Sequence, residues 1–325
     1  MAENSSVCGR KELSFMVLFS GSQDDSAAEV HPIRQAASIF AESVERRTDG
    51  EVTVKIHSVN TLYTQQETLE KAARGIIDMG MATQGALDKY VNTFALVMMP
   101  FLYDGYEHAY RVLDGPFKEW VAPLLEQQNM IYLANWEWGF RNITNNVRPI
   151  QTPDDVKGLK VRTPPGEAEL RAVMEACGAD VTEIDLPDLH AALERGSIDG
   201  EENPLEVIYR FKFYEVQKYL SLTRHVYNCM VHVMSLRTWK KLTNDQQQVL
   251  LEESQKAGNF LRQAIQAEEK KLLTSLQGKG MEIIESPEIP AFRAVMEPAY
   301  TRMQEYVGEE NVEKFMEMVE SLRKS

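Results

Sequence analysis

Short β-type runs alternate with amphipathic helical stretches along most of this chain, and that alternation restricts it to an α/β architecture. Residues 12–19 (ELSFMVLF) read as a strand and residues 20–26 as a polar turn. Pro32 opens a helical pattern that puts Ala36, Ala37, Ile39, Phe40 and Val44 on one side, and Asp49-Gly50 stops it. Proline in the first turn and glycine past the end is the expected asymmetry of a helix. Residues 51–57 (EVTVKIH) alternate as a strand, a helix follows over 64–74, and a strand over 77–82. This repetition implies a parallel sheet flanked by helices.

The second half repeats the grammar. It predicts a capped helical turn at 152–155, strands at 159–162 (LKVR), 180–184 and 197–201, and helices at 168–177 and 188–195. An internal echo supports two similar α/β domains: Arg74-Gly75-Ile76-Ile77-Asp78 and Arg195-Gly196-Ser197-Ile198-Asp199 each follow a helix and precede a strand. In both, the glycine suits a left-handed helix C-cap. Further on, Thr243 and Gln246 form a capping box, and helical spacing of apolar residues runs to Gly278. A helix over 244–277 is ~50 Å long at about 1.5 Å per residue, which suits a strut across two domains. Without sustained heptads it does not read as a coiled coil. Pro287 and Pro290 precede two last helices, expected over 291–306 and 311–322.

Size and charge narrow the function. A length of 325 residues fits about two domains. Against 49 acidic residues stand 35 basic ones, a formal net charge of −14. Nucleic-acid binders need a basic stripe to displace counterions, and anionic membrane surfaces attract basic segments, so both partners are excluded. The three cysteines (Cys8, Cys177 and Cys229) are widely spaced and form neither a disulfide framework nor a CxxC pair. No run approaches the ~18 apolar residues of a membrane helix. The apolar run at 15–19 is short for the core of a signal peptide, which leaves two readings: a cytoplasmic protein, or an exported one whose leader has been removed.

Catalytic signatures are missing. There is no GxSxG elbow, HExxH or GxxxxGK[ST] loop, and the six histidines show no metal spacing. His225 and His232, seven apart in an apolar run, read as core residues. The aromatic-rich segment Asn135-Trp136-Glu137-Trp138-Gly139-Phe140-Arg141-Asn142 is unusual, as is Arg162 at the end of a short strand before Pro164-Pro165. Ligands of open α/β sheets bind at the carboxyl ends of strands. An arginine there can grip a carboxylate or phosphate with its planar fork. Asn203, before Pro204, could bond to the same anion. The plainer alternatives stay open here: Arg141 and Arg162 paired with surface carboxylates, the tryptophans and the aromatic patch from Tyr209 to Tyr219 as packing, and Asn203-Pro204 as a turn.

Four blocks carry a resemblance. Gly139-Phe140-Arg141, then Asp155-Val156-Lys157-Gly158-Leu159-Lys160-Val161-Arg162-Thr163-Pro164, then Asp199-Gly200-Glu201-Glu202-Asn203-Pro204-Leu205, then Lys212-Phe213-Tyr214-Glu215-Val216-Gln217-Lys218-Tyr219-Leu220 occur in the order and spacing of one family. The chain resembles the solute-binding proteins of TRAP (tripartite ATP-independent periplasmic) transporters from about Glu12 to the C-terminal helices. That resemblance implies a two-domain periplasmic-binding-protein-like clamshell with a long helix spanning both domains. Residues 12–138 plus 229–268 would form one discontinuous domain and 139–228 plus 269–325 the other, hinged near 138–139 and 228–229. It implies that Arg162 clamps the ligand carboxylate, that Arg141 assists and that Asn203 bonds to the same group. By position, Thr83 and Gln84 would offer polar contacts, Phe19 would end the first strand beside the ligand, and Leu186 would pack where an aromatic is common. His31, Trp138 and Asn228 are expected wall residues.

Departures from the family bear on the ligand. Phe19 and Leu186 make the distal pocket more apolar than in binders of highly hydroxylated acids. Glu201 stands where glutamine is usual and is expected outside direct contact. The function implied is a periplasmic monomer, not an enzyme and without metal or cofactor, that hands a small organic acid to a TRAP permease. A ligand-sensing protein of the same fold and a binder of phosphate esters are the alternatives.

Overall fold

The structure is a computed structural model, and it describes residues 10–17, 31–58 and 63–323. Phe19 and the turn expected at 20–26 lie outside the described residues.

In chain order the elements begin with β1 (Lys11–Val17), α1 (Pro32–Arg47), β2 (Val52–Ser58), α2 (Gln65–Ala73), β3 (Met79–Thr83) and α3 (Gln84–Leu87). A tight helical turn at Asn92–Met98 leads into α4 (Tyr106–Asp114), α5 (Pro116–Gln127) and the long strand β4 (Met130–Asn145). Next come β5 (Lys160–Thr163), α6 (Ala168–Ala176), β6 (Asp180–Glu183), α7 (Leu186–Glu194), β7 (Gly200–Pro204) and α8 (Leu205–Arg210). The chain continues through β8 (Tyr219–Ser235), α9 (Leu236–Trp239), α10 (Asn244–Gly278) and β9 (Glu282–Ile284). It ends with α11 (Ile289–Ala294), α12 (Glu297–Val307) and α13 (Glu309–Leu322). Among the described residues no helix is long and apolar enough to cross a membrane.

The chain divides into two compact units. Among the described residues, the smaller comprises those up to Ala82, Leu125–Trp136 and Val231–Arg262; the larger comprises Thr83–Leu124, Glu137–Met230 and those from Gln263 onward. The strands β4 and β8 and the helix α10 each contribute residues to both.

In the smaller unit β1 pairs in parallel with β2 and β3. Its core is aromatic. The Phe15 ring stacks on His232 at 4.1 Å between centroids and meets Phe40 and Trp136 edge-on. Ser254 on α10 is held close by Trp136, whose indole N–H donates to its carbonyl at 3.2 Å, and by His232 Nδ1 at 2.8 Å from its hydroxyl. Gly258, one turn on, is needed for this approach, since a Cβ there would lie 2.6 Å from the Asn135 carbonyl. Burial pushes His232 down to about 3, so it is a neutral core residue as the sequence implies.

In the larger unit the strand order is β4-β7-β5-β6, with β8 beside β4 and β9 paired to β8. One apolar cluster gathers Ile143, Val161, Leu170, Val173 and Phe292, and another gathers Leu189, Leu193, Ile208, Phe213 and Leu276. Tyr209, Phe211, Tyr214 and Val216 pack against the second cluster, as the packing reading of that patch holds.

Several expectations need correction. The parallel pairing expected of the first three strands holds for β1, β2 and β3, but it does not extend throughout, because β4 runs antiparallel to β7. The strand expected at 197–201 lies at Gly200–Pro204, which puts Asn203 inside it rather than beyond its end. The helix expected over 291–306 is two helices, broken at Val295–Met296. Pro298, at the second position of α12, suits a helix start and cannot donate to a continuing ladder. The length of β4 and β8 was not legible in the sequence: both are buried nearly throughout, so polar and apolar residues do not alternate along them.

Candidate functional site

Strand β7 is Gly200-Glu201-Glu202-Asn203-Pro204, and all five residues are buried. Burying so much polarity requires partners, and the register supplies them. On one side Asn142 faces Asn203, Ile143 faces Glu202 and Thr144 faces Glu201; on the other, Arg162 of β5 faces Glu201. Facing positions put side chains on the same face of a sheet. Gly200 lies where a Cβ would sit 2.2 Å from the Thr144 carbonyl, which is why the strand can start there only with glycine.

Arg141 is engaged through its Nε and Nη2. Its Nη2 donates to Glu202 Oε1 at 2.9 Å, to the Glu202 carbonyl at 2.7 Å and to Asn203 Oδ1 at 3.2 Å, while its Nε donates to Glu202 Oε2. His225 Nε2 lies 3.2 Å from Glu202 Oε2, and its Nδ1 lies 2.8 Å from the Thr223 hydroxyl. Burial alone would raise the Glu202 carboxyl, but Arg141 and His225 overcome it and hold the group below its usual value. Burial would likewise lower Arg141, and Glu202 reverses that. The two form a closed ion pair. His225 is pushed down by burial, with the Glu202 carboxylate opposing.

Arg162 is different. It is only 2% exposed, and its Nε donates to the Ile184 carbonyl at 2.6 Å. Among the described residues, its two terminal nitrogens have no hydrogen-bond or ion-pair partner. Burial lowers its pKa, with repulsion from Arg141 adding to the effect and Glu202, Glu201 and Glu167 opposing it. A guanidinium buried and fixed at Nε, with the outer edge of its fork unsatisfied, is a ready receptor for a planar anion.

Around it are further polar groups. Glu201 Oε1 lies 2.7 Å from the Thr144 hydroxyl, and its Oε2 accepts from the Asn203 amide. Glu167, just before α6, accepts from the Thr83 hydroxyl at 3.4 Å, and its other oxygen has no partner among the described residues. Burial raises Glu167, with Arg141 and Arg162 opposing. Gly85 admits this side chain, since a Cβ there would meet Glu167 Cγ at 2.8 Å. Gln84 donates to Cys229 Sγ at 2.9 Å, leaving its Oε1 without a partner; both amide atoms of buried Asn228 also lack one among the described residues.

Of the residues singled out in the sequence, Arg141 and Asn203 are directly linked, Arg162 faces the strand that carries Asn203, and Thr83 joins through Glu167. Gln84 and Asn228 are buried in the same unit. Trp138 and Leu186 pack against the apolar cluster around Leu189 and Leu205. His31 belongs to the smaller unit, where its Nδ1 accepts from Ile33 N at 3.2 Å and caps α1. Glu167, Glu202 and His225 were not among the candidate site residues of the sequence. For Glu202 a signal existed: two glutamates and an asparagine between Gly200 and Pro204, in a segment short enough to be a buried strand, demand buried countercharges. Glu167 sits in a polar loop and had no such signal.

The sequence matches the family model for bacterial extracellular solute-binding proteins, family 7, over residues 24–306. The 2,3-diketo-L-gulonate-binding periplasmic protein YiaO of Escherichia coli K12 is 32% identical over 257 residues, which cover 79% of this chain and 78% of that protein. Among solved structures, a TRAP periplasmic solute-binding protein from Ochrobactrum anthropi, with a C-terminus bound in the ligand-binding pocket, is 31% identical. It covers 97% of both chains with a TM-score of 0.87. A TRAP periplasmic solute-binding protein from Polaromonas bound to D-erythronate is also 31% identical, covering 94% of this chain and 98% of that one at a TM-score of 0.84.

Proposed function

Because the chain belongs to the TRAP periplasmic solute-binding proteins of family 7, we propose that it captures a small monocarboxylic acid on Arg162 in the periplasm and delivers it to a TRAP permease. The observation that carries the reading is the contrast between two buried arginines. Arg141 is neutralised by Glu202, whereas the terminal nitrogens of Arg162 have no partner among the described residues. A ligand carboxylate placed on the Arg162 fork would make two parallel charge-assisted bonds. It would also restore the countercharge that burial makes costly to omit. Asn203 keeps an edge of its amide near the same groups, and Arg141 orients it through Oδ1. Thr83, Gln84 and Asn228 offer hydrogen bonds to the remainder of the acid; the unsatisfied amide atoms of Gln84 and Asn228 suit hydroxyl or keto groups.

One available guanidinium favours a carboxylate over a phosphate ester, because a phosphate dianion calls for more than one uncompensated positive charge. The relatives bracket the ligand class: YiaO is named for 2,3-diketo-L-gulonate and the Polaromonas protein holds D-erythronate. A thermal-shift panel of D-erythronate, D-galactonate, D-glucuronate, pantoate and sn-glycerol-3-phosphate tests this. An acid present at 100 times its dissociation constant adds about 2.7 kcal/mol of stability. Stabilisation by a sugar acid that is lost in Arg162→Ala is the expected result. Stabilisation by the phosphate ester alone would replace the carboxylate reading, and stabilisation that survives Arg162→Ala would remove the clamp.

A further inference from the structure

The hydrogen-bond valences around Glu201 do not balance for an ionised carboxylate. The Thr144 hydroxyl lies 2.7 Å from Glu201 Oε1 and 3.0 Å from Gln217 Oε1. It has one proton and cannot donate to both. Turning the Gln217 amide over is no remedy, because its nitrogen already faces two carbonyls, Val216 O at 2.9 Å and Asp199 O at 3.4 Å. Asn203 is fixed in the same way: its oxygen accepts from Arg141, so its nitrogen must face Glu201 Oε2. A proton on Glu201 Oε1 completes the chain. Asn203 donates to Oε2, Oε1–H donates to Thr144, and Thr144 donates to Gln217.

We propose that Glu201 carries a proton in the resting protein, so that the positive charge of Arg162 stays uncompensated and anion binding is coupled to retention of that proton. Charge placement agrees. Glu201 is fully buried and makes no ion pair among the described residues. Facing it are Arg162 on β5 and, along its own strand, Glu202. Glu202 is engaged by Arg141 on β4 and His225 on β8, and Glu167 before α6 also lies in electrostatic reach of the arginines. Burial, with Glu202 adding, pushes Glu201 up to about 7 against Thr144, Asn203 and Arg162. Ionised, it would compete with a ligand for Arg162; by linkage, a bound anion and the proton stabilise one another.

The protonation stands apart from the proposed function, and only the coupling rests on it, so ligand-free protein is tested first. Infrared difference spectra of the full chain across pH should show a buried carboxylic-acid carbonyl band titrating near neutral pH and missing from Glu201→Gln. A carboxylate at position 201 already ionised at pH 5 would overturn the proposal. Unfolding gives a second readout. A carboxyl raised on folding favours the native state below its unfolded pKa, and that contribution is lost as pH rises through the folded value. The unfolding constant of the wild type relative to Glu201→Gln should therefore rise roughly tenfold per pH unit between about pH 5 and 7 and level off above; a flat ratio contradicts it. The coupling is read with D-erythronate by calorimetry in buffers of different ionisation heat. Proton uptake by the wild type at pH 8, absent in Glu201→Gln, supports it, and equal uptake in both overturns it. Should D-erythronate bind neither protein, that counts against the Arg162 reading, and the infrared result still decides Glu201.

Discussion

Two turns of this protein are built from nearly the same words and lead into strands of opposite character. At Gly75-Ile76 the glycine N–H bonds to Ala72 O and the next N–H to Lys71 O; at Gly196-Ser197 the matching bonds go to Leu193 O and Ala192 O. Both glycines sit in the left-handed region, with φ of 69° and 65°, as the paired motif implies. Both aspartates then reach across to the neighbouring strand: Asp78 accepts from Ser14 N and Asp199 from Lys160 N, each at 2.8 Å. Beyond the turns the likeness stops. Strand β3 continues as Met79-Gly80-Met81-Ala82-Thr83 and needs no countercharge, whereas β7 continues as Gly200-Glu201-Glu202-Asn203-Pro204 and draws two arginines, a histidine and a threonine around itself. The shared turn makes an α/β unit; the departure after it makes the candidate site.

Breaking the charged strand should cost most. Glu202→Gln or Arg141→Met leaves a buried charge unpaired and should destabilise by about 3–5 kcal/mol in chemical denaturation, while replacing both with apolar residues should recover most of the loss. No comparable pair exists to break in β3. The aspartates come next, and they should differ. Asp78 also accepts from the Ser14 and Thr238 hydroxyls, so Asp78→Ala should cost about 3 kcal/mol; Asp199→Ala, which frees the Lys160 N–H, should cost nearer ~1.5 kcal/mol. Equal losses would mean that the hydroxyl bonds contribute nothing. The smallest effect separates the glycines. Gly196→Ala has open space around its Cβ and should cost only the left-handed backbone, about 1 kcal/mol. Gly75→Ala should cost more, because its Cβ would lie 2.7 Å from Arg237 Cδ. Matching melting-curve losses for the two would refute that contact.

Much of this scaffold was legible in the sequence because it is written in local chemistry. The Pro32 helix, the Thr243–Gln246 box that opens α10, the echoing Arg-Gly turns and the short strand bearing Arg162 each depend on residues near one another in the chain. The break between α11 and α12 and the reach of β4 and β8 depend on tertiary burial, which local periodicity does not record. The same holds at the candidate site. Arg141, Arg162 and Asn203 could be named, but that Glu202 pairs with Arg141 and not with Arg162 depends on the pairing of β7 with β4. Glu201 is hydrogen-bonded to Asn203 and faces Arg162, neighbours that the pairing of β7 with β5 supplies.

The most direct trial of the proposed anion receptor is titration calorimetry of wild type and Arg162→Ala with the acid that stabilises the protein best in the thermal-shift panel. Loss of affinity by at least tenfold, about 1.4 kcal/mol, is the predicted outcome; an unchanged dissociation constant in the variant would contradict it.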